Sequence, residues 1–211
     1  MGLVDMFAQD ASHRMKIKVD TDVLGFMGTG AVAANKGTAA GAISGGVNLG
    51  AVTLGSADNS VSVDYTNAVT KLVDIGLVLD EQNIPPEGRF VVLPSWYTAL
   101  LKLGDLRRAD ITGDSTGAVR TGLIGQVDNL SIYQSNNLNV FNTNVGGVGA
   151  GANVTRIVAG SKEATTFAAQ IAKVDELQIQ NSFGVYWRSL MVYGRAIVQN
   201  TALVNMLAKK A

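Results

Sequence analysis

The chain has 211 residues, 47% apolar and 16% charged, enough to bury roughly 70% of its unfolded surface in one or two domains, which excludes a disordered tail. Seventeen Lys and Arg balance seventeen Asp and Glu, so no cationic excess supports a dedicated nucleic-acid binder. The absence of Cys and the solitary His13 exclude disulfides, thiol nucleophiles, thiolate metal sites and His-rich metal centres, and no cofactor is implied.

At the N-terminus, Asp5 and Asp10 fall inside what would have to be the apolar core of a signal peptide, so no export signal is expected. Val4, Ala8, Ala11, Met15, Val19, Val23 and Phe26 recur at spacings that predict an amphipathic helix ending at Gly25, with Asp10, Arg14 and Lys18 on another face. Nine glycines from Gly25 to Gly55 predict a loop or loose hairpin, its best strand being residues 51–54. The uncharged run between Lys36 and Asp58 is too rich in Gly, Ala, Thr, Ser and Asn to span a membrane, and the chain reads as soluble.

Tyr65, Ala68, Leu72, Ile75 and Leu79 mark a second helix, with Ser62 or Asp64 as its cap and Asn83 before Pro85 as its stop. Pro85 and Pro86 turn the chain, residues 89–93 read as a strand, and Pro94 opens a helix over 95–103. Residues 104–125, polar and glycine-punctuated, read as an exposed loop, followed by a brief strand at Leu130, Ile132 and Tyr133 and a second loose region over 142–153. Residues 156–159, 174–180 and 185–198 read as strands. Leu177 and Ile179 alternate with polar neighbours, which predicts a sheet with one buried face. Helices and strands mix without βαβ alternation, so the expected class is α+β.

The run from Gly113 to Gly117 fits the G-x-S-x-G elbow of a serine hydrolase with Ser115 as nucleophile. That elbow needs a buried strand before the serine and a His after it. Arg107 to Asp110 is charged, and no His follows, while His13 lies on the first helix beside Arg14, Lys16 and Lys18. A flexible turn is the plainer reading. Gly28, Gly30 and Ala33 match the skeleton of a dinucleotide fingerprint but follow a helix instead of a strand. The pairs Asp105 and Asp110, Asp114 and Asp128, and Asp80 with Glu81 lack the spacing of a calcium loop and read as solvated charge. Arg107 and Arg108 could meet a phosphate or a neighbour's carboxylate. Trp96, Tyr97 and Trp187 could anchor an interface, although core packing is the simpler role.

Leu79-Asp80-Glu81-Gln82-Asn83-Ile84-Pro85-Pro86-Glu87-Gly88-Arg89, followed by Val91-Val92-Leu93-Pro94, Tyr97 and Leu100-Leu101, resembles a signature of tailed-bacteriophage major capsid proteins with the Hong Kong 97-type fold. Three further blocks resemble that family in the same order. They are Gly122 to Gly125 with Ile132-Tyr133-Gln134-Ser135-Asn136-Asn137-Leu138, then Glu163 to Ile171, then Val192-Tyr193-Gly194 with Ala202-Leu203-Val204. Asp128-Asn129 replaces the family's frequent Gly-Phe, and Asn200-Thr201 its Pro-Glu, which leaves the local turns open.

The resemblance implies a long spine helix and a peripheral long-stranded sheet, with residues 1–60 forming a peripheral domain completed by 174–198. It implies an axial α/β domain over 61–173, completed by 199–211, and an N-terminal arm and extended loop expected to be missing from this chain. The implied function is a non-enzymatic shell subunit that self-assembles into hexamers and pentamers of an icosahedral head. Scaffolding and portal proteins are implied partners, with non-specific contact to packaged double-stranded DNA and no membrane. The implied location is the virion, assembled in the host bacterial cytoplasm. Arg107, Arg108 and Arg120 would lie near the local symmetry axis and pair with Asp105, Asp110 or Asp114 of a neighbour. A cellular nanocompartment (encapsulin-like) shell and a hydrolase using Ser115 are the alternative readings.

Overall fold

The structure, a computed structural model, describes residues 3–41, 51–56, 59–104, 125–142, 153–178, 180 and 184–211. Its first element, α1 (Leu3–Gly30), is a helix of 28 residues, about 42 Å long. The helix does not stop at Gly25. Each glycine of its last turns admits a neighbour where a side chain would stand. Asn139 Nδ2 sits 3.1 Å from where a Gly25 β-carbon would be, Arg156 and Val158 crowd Gly28, and Ile197 crowds Gly30. Burial of Leu24, Met27 and Ala31 outweighs a propensity cost of about 1 kcal/mol per glycine.

After α1 the chain forms the expected loose hairpin. Ala40 and Val52 exchange backbone hydrogen bonds of 2.9 Å in both directions, and Leu54 N donates to Gly37 O at 2.8 Å. Residues 51–54 provide bridge partners but no continuous strand. Asn35, fully buried, donates its amide to the carbonyls of Thr201 (2.6 Å) and Leu203 (2.8 Å), which ties this segment to the C-terminal strand.

Strand β1 (Val61–Val63) leads into α2 (Ala68–Glu81). Asp64 closes the turn that leads into α2: its carboxylate accepts from the Thr66 and Asn67 backbone N–H groups at 2.9 Å and from the Thr66 hydroxyl at 2.6 Å. The hydroxyl bond first, then the backbone bonds, hold its carboxyl below the usual range. Asn83 ends the helix in the left-handed region (φ 56°), with Asn83 N bonded to Asp80 O and Ile84 N to Leu79 O, the paired bonds of a Schellman stop.

β2 (Arg89–Leu93) and α3 (Ser95–Leu103), opened by Pro94, follow as expected. Next come β3 (Gln126–Val127), β4 (Leu130–Gln134) and β5 (Val140–Asn142). Asp128 (φ 48°) and Asn129 (φ 61°) form the two-residue turn between β3 and β4, with both residues in the left-handed region that this hairpin demands. The long strands are β6 (Asn153–Ser161), β7 (Thr165–Gln178), β8 (Val185–Ile197) and β9 (Leu203–Lys210). β6 is longer than the residues 156–159 expected, and β7 starts well before 174.

Seven strands form one mixed sheet in the order β1-β9-β6-β2-β4-β3, with β5 on β6. Its centre is β9, β6 and β2: Met206 faces Ile157, and Val91 faces Ala159. Leu72, Ile75 and Leu79 of α2 and Tyr97 and Leu101 of α3 are fully buried in the same core. The Tyr97 hydroxyl donates to Ala68 O at 2.9 Å, so this aromatic is a core residue joining the two helices. Trp96 is partly buried, its indole 3.3 Å from Thr155 Oγ1.

β7 and β8 form a separate two-stranded ribbon, paired from Thr165 with Ile197 to Gln178 with Val185, with a bulge between Ile171 and Lys173. Of the two residues on which the expectation of one buried face rests, Ile179 lies outside the described residues. Leu177 is half-buried, and α1 packs against β8. The mixture of helix and sheet agrees with the α+β expectation.

Candidate assembly surface

The edges of the two sheets differ. The seven-stranded sheet ends in strands of three and two residues, too short to template another chain. The ribbon has edges of 14 and 13 residues, each paired only with the other strand among the described residues. Leu190, Val192 and Val185 along β8 are each more than half exposed, and Phe167 and Tyr186 nearly so. An isolated hairpin of this kind is marginal in water, so its stability depends on what it touches.

Two carboxylates of α1 hold the helix to its neighbours. Asp20 Oδ2 accepts from Asn137 Nδ2 at 2.8 Å, which fastens the helix to the segment after β4. Asp22 Oδ2 accepts from the Tyr193 hydroxyl at 2.8 Å and pairs with Arg195, which fastens it to β8. The Arg195 guanidinium lies 4.7 Å from the Phe26 ring centroid, and the Tyr193 and Phe167 rings meet tilted, their centroids 5.9 Å apart. Asp22, Phe26 and Arg195 border an open cavity of about 400 Å³ whose wall also includes Lys18, Thr21, Gly25, Thr29 and Asn139. Sequence reasoning missed this cluster because Asp22 and Tyr193 are 171 residues apart and neither carries a local motif.

The residues singled out from the sequence are not brought together. Arg107, Arg108, Arg120, Asp105, Asp110, Asp114 and Ser115 lie outside the described residues, as do most of the two loop regions that begin at Gly104 and Asn142 and the side chain of Trp187. Gly28 and Gly30 are inside α1, packed against strands, and form no strand-to-helix phosphate loop. Asp80 is tied to Arg89, and Asp128 sits in the β3–β4 turn, its carboxylate against Gly76. Glu81 is buried, with neither oxygen hydrogen-bonded among the described residues; burial raises its carboxyl above the usual range. His13 is exposed on α1. Among the described residues no group of three or more His, Cys, Asp or Glu side chains could hold a metal ion, and no helix is long and apolar enough to cross a membrane.

No family model matches the chain, and no curated protein matches it by sequence. Solved structures do match. One from Mycobacterium phage Che8 is 24% identical, with a TM-score of 0.69 over 97% of this chain and 62% of that one. The capsid structure of the cyanophage P-SCSP1u is 19% identical, with a TM-score of 0.53 over 71% of this chain and 48% of that one. The capsid of Ralstonia phage GP4 is 11% identical, with a TM-score of 0.50 over 85% of this chain and 53% of that one. The chain thus spans about half to three-fifths of the length of these structures. A mixed sheet backed by short helices, with a long helix beside an open ribbon, is the fold this chain shares with these bacteriophage structures, two of which are capsids.

Proposed function

We propose that the chain is a structural shell subunit, the major capsid protein of a tailed bacteriophage, with the Hong Kong 97-type fold. The observation that carries this reading is the fold shared with the capsids of the cyanophage and the Ralstonia phage. The open edges of β7 and β8 support it, because a protein that repeats around symmetry axes can leave for its neighbours what a monomer must cover. In this reading the subunit self-assembles into hexamers and pentamers that enclose double-stranded DNA in the virion, and catalyses no reaction.

Residues 1–60 with 174–198 form the peripheral part and residues 61–173 with 199–211 the axial part. Arg107, Arg108 and Arg120 meet Asp105, Asp110 or Asp114 of neighbouring copies near the capsomer axis. Arg107→Ala then weakens capsomers more at low salt than at high salt.

Electron microscopy of the purified protein with everything that copurifies tests the reading. Rings of five or six subunits, or closed shells, are expected. A protein that stays monomeric at every concentration and turns over an ester, with activity lost in Ser115→Ala, overturns it.

A further inference from the structure

Along β8 the side chains alternate between two environments. Met191, Tyr193, Arg195 and Ile197 are half-buried on the side of α1, where Tyr193 and Arg195 meet Asp22 and Ile197 lies against Gly30. Leu190, Val192, Gly194 and Ala196 are exposed on the other side. Pairing with β7 sets Gln170 opposite Val192, Ala168 opposite Gly194 and Thr166 opposite Ala196, so these three share that outward face. From Thr166 to Gln170 and from Leu190 to Ala196 the face carries no charged residue. The first charge along it, Lys173, stands at its end opposite Leu190.

The face is uneven in a regular way. Leu190 and Val192, 58% and 55% exposed, form a ridge. Gly194, Ala196 and Ala168 form a notch, where a β-carbon on Gly194 would meet nothing within 4 Å. Val192 and Gly194 stand one step to either side of the Tyr193–Ala169 pair, and Leu190 and Ala196 three steps. Two such ribbons laid face to face, with a two-fold axis crossing the strands at that pair, place Val192 of one copy over the partner's Gly194. Leu190 then lies over the partner's Ala196 and Gln170 over its Ala168. Large meets small at each position, as close packing between sheets about 10 Å apart requires. A strand added to either edge of the ribbon would satisfy backbone groups but leave Leu190 and Val192 in water.

We infer that the outward face of the β7–β8 ribbon docks on the same face of a second copy, across a two-fold axis at the Tyr193–Ala169 pair. The inference rests on the shell reading above and adds a contact which that reading does not supply. A ring of five or six copies is built from two different surfaces, whereas a face that meets itself joins two copies as equals. At roughly 3.4 Å per residue and about 4.8 Å between strands, the face offers on the order of 300 Å² per copy, below the roughly 800 Å² per partner of a standard interface. A single contact is therefore weak and reversible, and its repetition through a shell makes it count.

The test is sedimentation velocity over a concentration series, on the wild type, Gly194→Val, Val192→Gly and the double exchange Val192→Gly with Gly194→Val, each shown by a thermal melt to be folded. Gly194→Val sets valine against valine across the axis and Val192→Gly leaves a gap, so each should weaken self-association about tenfold. The double exchange again sets a large residue over a small one and should return to within about threefold of wild type. Non-specific apolar adhesion predicts the opposite sign for Gly194→Val, which adds apolar surface. Gly194→Val alone decides the sign if Val192→Gly proves unstable, because its position is open. Association strengthened or unchanged in Gly194→Val, or a double exchange as weak as the single variants, overturns the inference. Micrographs of the same samples read the rings separately. Rings or shells that are indifferent to the exchange overturn the two-fold contact and leave the shell reading standing, whereas a wild type that stays monomeric at every concentration overturns the contact together with the reading on which it rests.

Discussion

Arg89 Nη2 donates to Asp80 Oδ1 at 2.6 Å, joining a side chain that is 2% exposed to one that is 62% exposed. The same guanidinium donates from Nε to Pro85 O at 3.0 Å and from Nη2 to Ile84 O. It therefore closes the turn that follows α2 by binding backbone carbonyls, and the ion pair is the outer part of that arrangement.

Arg89→Ala should cost about 2–6 kcal/mol, since it strips the donors from two turn carbonyls at roughly 1–3 kcal/mol each and removes the buried stem. Asp80→Asn should cost less than about 1 kcal/mol, because an exposed carboxylate gains little from pairing. Urea melts of both variants check this. Equal losses would mean that the ion pair, and not the carbonyl clamp, holds the turn.

Tyr97 yields a pH prediction. Burial, followed by the negative charge of Asp74, raises its phenol above the ordinary value near 10. The unfolded chain releases this proton at lower pH than the folded one, so the unfolded state is favoured as pH climbs past that ordinary value. Stability should be unaffected by this group below pH about 10 and fall by about 1.4 kcal/mol per unit above it. Tyr97→Phe removes this loss at the cost of about 0.5–1.5 kcal/mol for the bond to Ala68 O. Denaturation measured across the alkaline range, for both proteins, is the check.

Asp22→Ala removes the acceptor for Tyr193 and the partner of Arg195. Both groups are partly exposed, so the loss should be only about 1 kcal/mol and confined to the ribbon. Hydrogen exchange should quicken at β8 amides and stay constant at β6 and β9. Uniform acceleration throughout the chain would contradict a local anchor.

Two glycines should respond in opposite ways. A β-carbon at Gly160 would meet the Ala202 carbonyl and come within 2.9 Å of Leu203 Cδ2, so Gly160→Ala must push β6 from β9 and should cost about 1–3 kcal/mol. At Gly194 a β-carbon meets nothing within 4 Å, and Gly194→Ala should stabilise by up to about 1 kcal/mol through chain entropy. Thermal melts decide both.

Leu190 and Val192 are 58% and 55% exposed, so aspartate at either position has little core to disturb. Leu190→Asp and Val192→Asp should leave the melting temperature within about 2 °C of wild type while reducing assembly, as read by sedimentation. Normal assembly in both would remove the β8 row from the proposed subunit contact.

Local physics was legible in the residues. Asp64 with Thr66 closes the turn into α2, Asn83 before Ile84-Pro85 ends that helix, and Pro94 opens α3, because turn-forming side chains and proline act on backbone a few residues away. The resemblance carried by residues 79–101 led to the fold found in phage capsids, through a run whose roles in capping, turning and strand formation are all local. Tertiary structure decided the rest. α1 passes Gly25 because Asn139, Arg156 and Ile197 fill the places of the missing side chains, and β7 starts at Thr165 because β8 offers its backbone along the full length. β9 became a central strand, buried on both faces over Leu203 to Ala208, which leaves no alternation to read. The Asp22 anchor exists only when residues from opposite ends of the chain meet, and no spacing along the sequence encodes a contact whose partner is 171 residues away.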